Sequence, residues 1–232
     1  MRENPKIQYR MNKPLDKKMC IEFLGCQVGG VNFANGIFNP HPNIKKSIYS
    51  YIDSFYKKHD MYLRQTAQNF EKQWMVHERT FFQAVAIIFN NHPWPKGKYI
   101  GYLSIFDCNP RFLHNKTFQI FYIHKMGPVY VTAHELLHFM FYDYVEKKRS
   151  DVKKRLNEDG IWKLSEIVND VVMNYKKFKQ IFCKKGQYIN YPELKKNISK
   201  VKRSLHGNID IDKVIDQTVY ELSYADEKIL SL

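Results

Sequence analysis

The segment VTAHELLHFMFYDY, residues 131–144, carries the densest chemistry in the chain. It contains His134-Glu135-Leu136-Leu137-His138, an HExxH pattern. On a helix, residues at i and i+4 lie on one face a turn apart, so the two imidazoles can reach one metal ion. Glu135 then sits beside the ion, where a carboxylate can take a proton from water. The surrounding positions are Val131, Ala133, Leu136, Leu137, Phe139, Met140 and Phe141, which are apolar on every side. Two histidines and a glutamate buried on such a helix need partners or a metal.

Two imidazoles leave Zn²⁺ short of the three protein ligands usual in a catalytic site. Glu166 and Asp170 in IWKLSEIVNDVVMN, 161–174, stand at i and i+4 on a helix whose other positions are Leu164, Val168, Val171 and Val172. Glu166 would complete a His₂Glu set. Asp170, a turn on, would hydrogen-bond a ligand histidine and fix its tautomer. Asp143 and His206 are the rivals for the third position. A three-His pattern fails, because the sixth residue after His138 is Tyr144 and the intervening Gly position is Phe141.

HELLH followed by SEIVND resembles the gluzincin metallopeptidases, which carry HExxH on one helix and ExxxD on the next. The resemblance implies zinc ligands at His134, His138 and Glu166, a general base at Glu135 and a supporting acid at Asp170. More loosely, YLSIFDCNPR, FQIFYI, AHELLHF, SEI and YPE, spread over about 75–195, resemble small HExxH proteins of microbial genomes. The expected activity is peptide-bond hydrolysis by zinc-activated water, on peptides or unfolded proteins. Tyr191, in the Tyr191-Pro192-Glu193 turn, is the first choice for a donor to the oxyanion, ahead of Tyr188 and His206. The strand before the HExxH helix is expected to be the edge on which an extended substrate pairs.

These residues need elements to hold them. Gly127-Pro128 opens the HExxH helix, which runs to about Lys148. TFQIFYIH, 117–124, and YIGYLSIF, 99–106, are β-branched and aromatic runs of strand length. Helical spacing covers 44–59, 61–74, 78–90 and 161–182, with two amphipathic helices at about 193–205 and 210–223. Residues 1–18 read as a loose polar arm, and 19–24 as a short strand. The expectation is one α+β domain over 1–232, mostly helical and zincin-like, with a small sheet. Its parts would be an N-terminal arm and strand (1–40), an upper lobe with the active-site helix (41–148) and a lower helical lobe (149–232).

Hydrophobic residues at 44% and aromatics at 15% supply a sizeable core and exclude a disordered chain. The net charge of +14 permits weak contact with nucleic acid or acidic peptides without specifying either. A catalytically silent zinc-binding module and a basic nucleic-acid-associated protein are the alternative readings. Four cysteines without a CxxC pair point to free thiols. With no apolar leader and no long apolar run, a cytoplasmic protein with no membrane contact is expected.

Overall fold

The stretch IQYRM alternates apolar and polar, and it forms strand β1, Ile7–Met11, with Ile7 and Tyr9 buried and Gln8 and Arg10 exposed. Within the stretch expected to be a loose arm, 7–11 is therefore a sheet strand. Helix α1 follows at Lys13–Phe23, started by Asn12, whose Oδ1 accepts the Leu15 N–H at 3.1 Å, and by a proline in its first turn. The strand expected at 19–24 lies inside this helix. Met19 and Cys20 belong to its buried stripe together with Asp16. The computed structural model describes residues 4–179, 181, 191–205 and 209–230.

A short antiparallel pair, β2 (Gln27–Val28) and β3 (Val31–Asn32), leads into helix α2, Ala34–Phe38, and a 3-10 turn at Pro42–Lys46. Helix α3 then spans Ile48–Ile88, 41 residues, as two helical stretches joined at a kink. The expected break between 44–59 and 61–74 falls at this kink, whereas 61–74 and 78–90 run together, since the span contains no proline or glycine. Only His59 leaves helical geometry, at φ −114° and ψ 15°, which kinks the rod.

Strands β4 (Tyr99–Ser104), β5 (Arg111–Phe112) and β6 (Thr117–Phe121) complete a four-stranded sheet of order β1-β4-β6-β5. The β1–β4 and β4–β6 pairs are parallel, and β5 runs antiparallel to β6. Every residue of β6 is buried. Its outward N–H groups are taken: Gln119 donates to Pro110 O at 2.8 Å and Phe121 donates to Asn109 Oδ1 at 2.8 Å. The strand before the HExxH helix is thus an inner strand, and the sheet's edges are β1 and β5.

The remaining elements are α4 (Pro128–Lys148), α5 (Ser150–Arg155), α6 (Glu158–Met173), α7 (Lys176–Lys179), a 3-10 turn at Pro192–Leu194, α8 (Lys195–Ser204) and α9 (Ile211–Leu230). The fold is α+β, mostly helix with a small sheet. Compact units divide inside α3 and α4: Glu3–Glu78 with Lys96–Glu135, and Arg79–Pro95 with Leu136–Leu232. Along α4 the division falls between Glu135 and Leu136.

In the first unit the core is the sheet with α3, where Tyr9 meets Phe70 edge-on at 6.1 Å. Asp16 is fully buried and ties α1 to both. It accepts from Tyr56 Oη at 2.7 Å, Ile105 N at 3.0 Å and Gln119 Nε2 at 2.6 Å. In the second unit α6 packs on α8 and α9, and Phe81 packs on Trp94 and Phe178. Arg149, just beyond α4, binds Asp212 of α9 at 3.2 Å, and Tyr144 donates to the same carboxylate at 2.9 Å.

Candidate metal centre

Gly127 adopts φ +78°, which lets the chain turn sharply into α4, and Pro128 fits the first helical position. Continuous α-helix through 128–148 puts His134 and His138 on one face. His138 is fully buried, Glu135 is 3% exposed, and His134 is half-buried.

Helix α6 brings the third group. Asn157 caps it by accepting the Gly160 N–H at 2.8 Å, and its residues from Leu164 to Met173 are all buried. Glu166 is 5% exposed, and its Oε1 lies 3.4 Å from His138 Nε2. One donor atom from each of His134, His138 and Glu166 falls within 4.8 Å of the others. Zinc bonds of about 2.0–2.1 Å at tetrahedral angles place ligand atoms about 3.3–3.4 Å apart. The His138–Glu166 separation meets that spacing. Two imidazoles and a carboxylate, His134 half-buried and the other two buried, are also the donor types that zinc takes in open sites. The residues fit the ion.

The rivals for the third position separate. Asp143 is committed elsewhere, to His92 Nε2 at 2.8 Å and to the Lys147 ammonium at 2.9 Å. His206 and Tyr188 lie outside the described residues.

Asp170 has a partner that the sequence reading did not include: its Oδ1 is bound by the Lys202 ammonium of α8. Its Oδ2 is buried with no hydrogen-bond partner among the described residues. Burial holds its carboxyl above the usual carboxylate range, while the Lys202 charge acts in the opposite direction. Sequence reasoning missed Lys202. The available signal was its place four residues after Ile198, beside Val201, both of which are buried on α8.

Tyr191 stands just before the Pro192–Leu194 turn, half-buried, with its ring edge-on to Trp162 at 4.8 Å. Trp162 is one helical turn before Glu166 on α6. Cys20 and Cys108 are buried and Cys26 half-buried, all as free thiols, and Cys183 lies outside the described residues. No helix among the described residues is long and apolar enough to cross a membrane.

No protein-family model matches the chain, and comparisons with curated proteins and with solved structures give no match either.

Proposed function

We propose that this chain is a zinc-dependent metallopeptidase of the gluzincin type on a zincin-like fold. The observation that carries the reading is the convergence of His134, His138 and Glu166, with Glu135 next to the first histidine on the same helix. Zinc held by these three groups would polarise a carbonyl and lower the pKa of water in the fourth position towards about 7. Glu135 would serve as the general base toward the attacking water and as the acid toward the leaving amine. A buried carboxylate suits this role, because a low-dielectric surrounding strengthens its interaction with nearby charge. Tyr191 is the proposed neutral donor to the oxyanion, seated on the ring one turn before Glu166.

An extended peptide is the proposed substrate. It would pair with β5, the edge strand beside β6, since the outer side of β6 is covered by β5 and the Asn109-Pro110 segment.

Zinc content together with cleavage of a broad peptide library tests the reading. Glu135→Gln keeps the ligand set and removes the base. It should retain zinc and lose cleavage by about 10²- to 10⁴-fold. A silent zinc module would bind zinc with no cleavage in either form. Purified wild type that takes up no zinc would end the proposal.

A further inference from the structure

Asp170 lies one turn beyond Glu166 on α6, with a side chain only 7% exposed. A carboxylate so enclosed needs donors. Its side chain receives one, the ammonium of Lys202, which comes from α8 and is itself only 23% exposed. The backbone carbonyl of Asp170 is engaged separately, by Asn174 Nδ2 at 2.8 Å. Exposed ion pairs contribute little, but this pair sits where α6 packs on α8. With Oδ1 held by Lys202, the direction of Oδ2 is fixed. That oxygen is a buried acceptor with no hydrogen-bond partner among the described residues, one turn from a residue of the candidate ligand set. Groups placed behind metal ligands orient them and set their basicity.

We propose that Lys202 is a positioning residue for the metal centre, acting with Asp170 as one unit that sets the centre's affinity for zinc. The inference rests on His134, His138 and Glu166 binding a metal. Lys202 acts by holding the Asp170 carboxylate in one rotamer and by locking α8 to the turn of α6 that follows Glu166. A long, flexible lysine stem from another helix is suited to this, since its ammonium can reach a short aspartate that its own helix neighbours do not satisfy.

Zinc affinity, measured by competition with a chromophoric chelator, tests it on wild type, Lys202→Met, Asp170→Asn, the double variant and Lys202→Arg. Lys202→Met and Asp170→Asn should each weaken zinc binding by about 10- to 100-fold. The double variant should be no weaker than the weaker single, because the two residues work as a unit. Lys202→Arg should recover most of the loss. Thermal unfolding of the metal-free variants reports the purely structural contribution separately. If Lys202→Met lowers the melting temperature but keeps zinc affinity within about twofold of wild type, or if the two losses simply multiply in the double variant, the inference is overturned. Wild type that binds zinc beside an unaffected Lys202→Met sinks this inference alone. Wild type that binds none sinks the metal centre and the inference with it.

Discussion

His138 Nε2 and Glu166 Oε1 stand 3.4 Å apart, joining the HExxH helix to α6 through two side chains that are almost wholly buried. The separation is longer than an ordinary N–H···O hydrogen bond and suits two ligands of one cation, which titration with metal tests.

Zinc should bind at about one ion per chain and be removed by chelators. His134→Ala, His138→Ala and Glu166→Ala should each abolish stoichiometric binding, read by elemental analysis after dialysis. Asp143→Asn should leave zinc content unchanged, because Asp143 is already held by His92 and Lys147. Full zinc in the Glu166→Ala protein would place the third ligand elsewhere.

Tyr191→Phe removes a hydroxyl and keeps the ring against Trp162. If that hydroxyl stabilises the oxyanion, kcat should fall by about 10²-fold with KM nearly unchanged. An unchanged kcat would reduce Tyr191 to a packing residue.

Asp16 gives the fold a specific pH dependence. Burial pushes its carboxyl up from 3.8 to about 6, against the opposing effect of its hydrogen bonds from Ile105, Tyr56, Ser104 and Gln119. Between those two values the folded chain holds a proton that the unfolded chain has lost. Stability contributed by this group therefore falls as pH rises from about 4 to about 6, and is flat beyond. Asp16→Asn should remove that slope in urea melts recorded across the range. It should also lower stability by about 1–3 kcal/mol, since one of the donors then faces an amide N–H. A slope that survives the substitution would assign it to another group.

Gly36 packs against the loop after β4. A Cβ there would lie 2.4 Å from Asp107 O and 3.2 Å from Cys108 Sγ. The Asp107 N–H also donates to Gly36 O at 2.9 Å, so the two backbones are fastened together and cannot separate cheaply. Gly36→Ala should cost about 1–3 kcal/mol, seen as a lower urea midpoint at constant m. A midpoint equal to wild type would show that the loop can yield.

The juxtaposition of His134, His138 and Glu166 was legible in the sequence because it rests on short-range rules. Helical i and i+4 spacing sets the histidines on one face, and a carboxylate on a second apolar helix has few other places to go. The strands at 99–104 and 117–121 were legible for the same reason, through residue type and run length. The alternation in IQYRM was also present, but its polar flanks disguised it, and only pairing with β4 across about ninety residues makes it a strand. Other features depend on partners that no local pattern names. Asp16 is satisfied by Gln119, 103 positions away, and Asp170 by Lys202, 32 positions away. Whether β6 is an edge depends on where the Asn109-Pro110 loop and β5 fold back. A buried polar group takes whichever donor the packing delivers, and packing is decided by the whole chain. The sequence thus determined which side chains can do chemistry and on which helices they ride. Only the tertiary structure decided which charges stand behind them.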